Sequence, residues 1–153
     1  MELIASFQVD HTRLDSGVYV SRRDKVAGGY ITTFDVRMKR PNREAALPVK
    51  AAHTIEHVVA TYLRSSAFRD HVVYWGPMGC LTGFYFITFT SEAVRPSAVT
   101  RLLRAAFRYQ AAFKGEIPGA KAECCGNHRL HDLKAAKREA AKFLKRKWAL
   151  KYA

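Results

Sequence analysis

Acidic residues are scarce in this chain: 13 Asp and Glu stand against 26 Lys and Arg in 153 residues, a formal charge of +13. Cysteine is scarcer, with three in all, and Cys124 and Cys125 are adjacent, so a disulfide framework is excluded as the basis of the fold. Free thiols and no pairing scheme point to a reducing cytoplasm. No apolar run approaches the ~18 residues that a spanning helix needs. The N-terminus, "MELIASFQVDH", lacks a basic leader and is interrupted by Gln8 and Asp10, so it does not read as a secretory signal. Repeats, low-complexity tracts and linkers are also missing, which leaves residues 1–153 as one expected domain, long enough to bury its own core without a staple.

The charge is lopsided. Up to Val94 there are 11 basic against 9 acidic residues, and from Arg95 onward 15 against 4. A basic half admits a nucleic acid or an anionic membrane as partner, and "KAAKREAAKFLKRKW" is amphipathic enough to lie on such a surface. The plainer expectation is a packed helix whose outer face lysine keeps solvated, because a charge run without a reading motif specifies nothing.

Periodicity gives the elements. "GVYV" and "GGYITTFDVRM" read as strands, the second placing Phe34, Val36 and Met38 on one face and Asp35 and Arg37 on the other, as a solvated ion pair or a polar binding surface. A helix is expected over 49–68, a hairpin over "HVVYWGPMGCLTGFYFITFT", a helix from Pro96, and a basic helix over about 130–150. In the Pro96 helix the apolar stripe runs through Val99, Leu102, Leu103, Ala106, Tyr109, Gln110 and Phe113. Strands, helix, hairpin, helix, helix is an α+β order: an antiparallel sheet packed against helices.

Two features carry chemistry. In "AAHTIEHVVATYL", His53 and His57 stand one helical turn apart and can face one metal ion, with Glu56 beside them. H-x-x-E-H is the order of inverted zincins, in which the glutamate handles protons, so a small metallopeptidase is one reading. A third ligand has to come from elsewhere, and Glu123, Cys124, Cys125, His128 and His131 are all within reach of the downstream segment; spacing alone does not choose among them. The second feature is Cys80 in "GPMGC", on a turn where a thiol is either a small buried hydrophobe or a presented acid–base group.

Taken together, "SFQVDHTRL", "FDVRMKRPN", "HTIEHVVA", "GPMGCLTGFY", "EIPGA" and "CGNHRLHDL" resemble the LuxS family of S-ribosylhomocysteine lyases, in order and spacing across residues 6–133. The resemblance implies a cytoplasmic α+β homodimer with active sites at the subunit interface. It implies Fe(II), one per subunit and replaceable by zinc or cobalt, held by His53, His57 and Cys125. Cys80 and Glu56 become the catalytic acid–base pair, and Ser6, His11 and Arg37 the substrate-binding residues, with Asp10 and Asp35 as supporting neighbours. The implied reaction moves a carbonyl along the ribose chain and then eliminates homocysteine, leaving 4,5-dihydroxy-2,3-pentanedione, precursor of the autoinducer-2 quorum signal. A catalytically inactive copy of the fold that binds nucleic acid or a membrane surface is the rival reading, and the peptidase a weaker one. Lys39 and Gly76 depart from the family, several of whose members carry cysteine and serine there, as does Cys124, where an acidic or polar residue is common.

Overall fold

The computed structural model describes residues 1–152. Its strands are β1 (Gly17–Val26), β2 (Gly29–Arg37), β3 (Val72–Pro77) and β4 (Gly83–Thr90), and its helices α1 (Val49–Arg64), α2 (Pro96–Ala112) and α3 (Leu133–Leu144). The strands form one antiparallel sheet in the order β1-β2-β4-β3, so the expected α+β architecture is observed. Helix α1 lies on β3, α2 touches β1, and α3 packs across α1 and α2. Among the described residues no helix is long and apolar enough to cross a membrane.

The alternation read in β2 sets the core. Phe34 and Val36 are fully buried, facing Phe86 and Phe84 on β4, and Trp75 stacks on Phe84 at 4.7 Å. Against this face α1 sets Ile55, Val59 and Leu63, and it buries Val58 as well, all at 0 % exposure, each burial giving roughly 1.5–3 kcal/mol. Its other stripe, His53, Glu56, His57 and Ala60, is thereby turned outward. α2 buries Val99, Leu103, Ala106 and Gln110 as its period requires, and also Phe107, whose ring meets Phe143 and Trp148; Tyr109 stays exposed.

Element ends differ from the sequence reading for identifiable reasons. β1 runs on past "GVYV" because the polar "SRRDK" pairs with β2 across a bulge after Val20. α1 stops at Arg64, where Ser65 N–H turns back to the last helical carbonyls and Ser66 Oγ donates to Leu63 O at 2.6 Å. α3 is a short version of the helix expected over 130–150. Asp132 caps its start by accepting from Ala135 N–H at 2.9 Å, and beyond Leu144 the chain swings round to lay Ala149 beside Gly17 as an extra parallel bridge.

The basic half is partly structural. Arg104 lies 4.2 Å above the Trp148 ring, and Arg146 forms a two-pronged pair with Glu44 at 2.6 Å. The family departures are also accommodated. Lys39 is buried with its Nζ 2.5 Å from Glu139 Oε2, a contact of charges more than an aligned hydrogen bond, and the space above Gly76 is filled by the Tyr74 hydroxyl.

Candidate metal centre and thiol cavity

Helix α1 presents His53 and His57 on one face, as the one-turn spacing demands. Each ring is oriented by a backbone carbonyl: His53 Nδ1 lies 2.8 Å from Leu130 O, and His57 Nδ1 2.7 Å from Pro118 O. A carbonyl only accepts, so both Nδ1 atoms carry the proton and both Nε2 lone pairs are free for a metal. The loop that supplies Pro118 then turns at Gly119, whose backbone is left-handed (φ +67°); a side chain there would approach His57 Nδ1 to 3.5 Å.

That loop delivers Cys125. Its Sγ lies 3.5 Å from His53 Nε2 and accepts from Asn127 N–H at 3.4 Å. His131 completes the group: ligand atoms of His53, His57, Cys125 and His131 all lie within 4.8 Å of one another. Thr54 fixes His131. The Thr54 hydroxyl gives its one proton to Lys50 O at 2.8 Å and accepts from Asp132 N–H at 3.0 Å, so at 3.2 Å from His131 Nδ1 it is again the acceptor. His131 Nε2 is then a bare lone pair, buried and without a hydrogen-bond partner. Burial first, and then the His53 and His57 charges, push the His131 pKa down to about 4, which keeps the ring neutral. An orphaned buried nitrogen, two free imidazole lone pairs and a thiol fit a metal ion, and this mixed nitrogen–sulfur set suits zinc, iron or cobalt. Of the candidates that spacing left open, this group gathers Cys125 and His131, while Glu123, Cys124 and His128 are not part of it.

Cys80 lies elsewhere. Between β3 and β4 the chain turns through Gly79–Thr82 with Leu81 at φ 55°, a left-handed conformation that is costly for leucine, and Cys80 is exposed at the tip. Gly83 allows the next strand to start against Arg37, since a Cβ there would fall 2.4 Å from Val36 O. The result is a contact network: Cys80 Sγ is 3.1 Å from Thr82 Oγ1, and Arg37 Nη1 donates to Thr82 Oγ1 at 2.7 Å with Cys80 Sγ at 3.8 Å. Arg37 and Asp35 are not the solvated pair that the alternation allowed. Both are 3 % exposed, joined Nε–Oδ1 at 3.0 Å and Nη2–Oδ2 at 2.5 Å, on a sheet face covered by Tyr19, Tyr85 and Tyr152. They are a buried, fixed fork beside the thiol.

Ser6, His11, Arg37, Cys80, Thr82 and Tyr85 line one cavity of about 520 Å³. His11 is held through Nδ1, 2.7 Å from Val9 O, and the loop carrying it is braced by Asp10, which accepts from Thr12 N–H at 2.9 Å and Thr12 Oγ1 at 2.6 Å. Glu56 opens instead onto a shallow groove of about 340 Å³ with His57, Trp75, Gly119 and Cys124. The two hollows share no residue. Sequence reasoning named His131 without choosing it and passed over Thr54 and Thr82; Thr82, two residues along from Cys80, was the more visible of the two.

A small α+β chain with a histidine–thiol group that could hold a metal, its His57 lining one hollow, and an arginine-flanked thiol lining another defines the class. The chain belongs to the S-ribosylhomocysteinase (LuxS) family, which matches residues 4–152. It is 52% identical over 145 residues to the S-ribosylhomocysteine lyase of Phocaeicola vulgatus, covering 94% of this chain and 89% of that protein. The lyase of the same name from Desulfotalea psychrophila is 53% identical over 144 residues (94% and 89%), and that from Porphyromonas gingivalis 50% over 149 (95% and 91%).

Proposed function

We propose that this chain is an S-ribosylhomocysteine lyase, which converts S-ribosylhomocysteine to homocysteine and 4,5-dihydroxy-2,3-pentanedione, the autoinducer-2 precursor. The observation that carries this reading is identity of about half to curated lyases over nearly the whole chain, with every chemical residue type of the motifs present. The metal, Fe(II) with zinc or cobalt as substitutes, would be held by His53, His57 and Cys125, and when bound it supplies Lewis-acid polarisation of the substrate carbonyl.

The protein's own residues manage protons. Cys80 Sγ, 3.8 Å from Arg37 Nη1, would act as the base that takes a proton from the carbon next to a carbonyl and returns it to the neighbouring carbon. Glu56, which lines a groove with His57, would move the hydroxyl proton that accompanies each carbonyl shift. Once the carbonyl stands two carbons from the one bearing sulfur, loss of a proton from the carbon between them forms the carbon–carbon double bond and expels homocysteine as its thiolate. Arg37, Ser6 and His11 would hold the substrate in the cavity they line with Cys80.

A homodimer accounts for the separation of the hollows, because a second copy can set its Cys80 cavity against this copy's metal groove. Phe7, which lines that cavity, and Leu3 and Ile4, which precede it in the chain, are apolar and exposed and would be covered in such an interface. Three free thiols support a reducing, cytoplasmic setting.

The test is anaerobic purification with metal analysis, followed by a free-thiol assay on S-ribosylhomocysteine. Cys125→Ala is expected to lose metal, whereas Cys80→Ala keeps metal and loses turnover. A protein that binds a stoichiometric metal but releases no homocysteine would sink the assignment.

A further inference from the structure

The C-terminal tail reaches the thiol network. Beyond α3, Trp148 packs on Phe143 at 4.2 Å, Ala149 O accepts from Val18 N–H at 2.8 Å, and Ala149 N–H donates to Ser16 O at 3.0 Å. This clamp carries Tyr152 over the sheet, where its ring lies on Tyr19 with centroids 4.5 Å apart and planes inclined by 8°. Tyr19 is itself 1 % exposed and pinned by its hydroxyl to Asp15 O at 2.8 Å, so the stack has a fixed base. From there the Tyr152 hydroxyl donates to Asp35 Oδ2 at 3.3 Å, the same oxygen that accepts from Arg37 Nη2.

We propose that Tyr152 is a positioning residue for Cys80, acting through Asp35 and Arg37. Among the described residues, the side-chain donors that hold the Asp35 carboxylate are the Arg37 fork and the Tyr152 hydroxyl. With both in place Arg37 is held edge-on, so its remaining nitrogen, Nη1, points at Thr82 and Cys80. Burial and the Asp35 charge raise the Tyr152 pKa, so the hydroxyl stays a neutral donor. Removing that hydroxyl takes one of the two donors from Asp35 Oδ2, so the fork that aims Arg37 Nη1 at Cys80 is held less firmly. The functional importance of this rests on Cys80 being the proton-transfer group proposed above, but its physical consequence, the nucleophilicity of the thiol, can be read without turnover.

The experiment is alkylation of the full-length protein with iodoacetamide from about pH 6 to about pH 9, spanning an ordinary thiol's titration. Peptide mass spectrometry resolves Cys80, and the exposed Cys124 serves as internal reference. Because the thiolate is the nucleophile, Tyr152→Phe should lower the Cys80 rate at neutral pH about threefold or more relative to Cys124, the equivalent of one modest hydrogen bond. Tyr152→Phe keeps the ring stack and the fold, whereas Tyr152→Ala removes both stack and hydroxyl. If either variant melts earlier while the Cys80 to Cys124 ratio keeps its wild-type pH profile, Tyr152 is an anchor only and the proposal falls. Turnover measured alongside separates the two ideas: a shifted Cys80 profile in a protein that never releases homocysteine would overturn the lyase reading and leave the positioning role standing.

Discussion

The imidazole of His131 lies nearly parallel to that of His53, ring centroids 4.1 Å apart and planes inclined by 15°, and its Nε2 is buried without a partner. An unpartnered buried nitrogen is costly unless something occupies its lone pair, and the metal cluster is the available occupant. His131→Ala is therefore expected to weaken metal retention by about tenfold or more, the usual penalty for losing a group that ligates or orients at such a site. Chelator competition measures it directly. Unchanged affinity would place His131 outside the metal's surroundings.

Lys39 and Glu139 are both nearly buried, joining the end of β2 to α3. Removing Lys39 leaves Glu139 buried with the half-exposed Lys142, 3.4 Å from its Oε1, and the more distant Arg146 charge to answer it. Lys39→Met should cost about 3 kcal/mol in urea denaturation, while Lys39→Met with Glu139→Leu should return to within about 1 kcal/mol of the wild type. A double variant as unstable as the single one would show that the pair is needed for more than mutual neutralisation.

Glu44 is held down to about 2 chiefly by the Arg146 fork, against the opposing effect of its partial burial. A carboxylate with a depressed folded pKa stabilises the protein above its unfolded value and ceases to do so as pH falls through the folded one. Arg146→Ala should thus cost about 1–2 kcal/mol at neutral pH. The gap to wild type should narrow below the ordinary carboxylate value of 4.5 and close near 2. Thermal melts across that range give the profile, and a gap constant down to the lowest pH would exclude Glu44 as its source.

Mixing two inactive proteins tests the proposed homodimer. Cys80→Ala and His57→Ala damage different hollows, so a mixed dimer would gather both defects in one site and leave the other intact. After subunit exchange the mixture should recover about one quarter of wild-type turnover, since half the dimers are mixed and each holds one good site of two. No recovery under conditions where exchange is demonstrated would place both residues in the same site.

How far the sequence spoke for itself differs by residue. His53 and His57 were legible because helical spacing is a local property, and so was the buried face of β2. The rest of the candidate cluster was not, because Cys125 reaches it through a loop whose path depends on Gly119 and on the Pro118 carbonyl meeting His57. Alternation put Asp35 and Arg37 on the face away from the core, correctly, but could not show that Tyr19 and the distant Tyr152 cover that face. The length of α3 was overestimated because a basic amphipathic period continues through "KRKW" while the backbone leaves the helix to bring Ala149 to β1. Phe107 fell outside the expected stripe because the α2 interface is wide enough to include Trp148 and Phe143.

The two hollows share no lining residue, and that separation has a genetic consequence. In a homodimer whose sites each draw on both copies, no gene product owns a whole catalytic centre. A chain damaged in one hollow only is rescued in part by a partner damaged in the other. A chain damaged in both spoils every centre of each dimer it joins, so such an allele, expressed beside the normal one, would behave as dominant. Inheritance at this locus would then be set by the geometry of about 500 Å³ of empty space and its distance from a cluster of histidines.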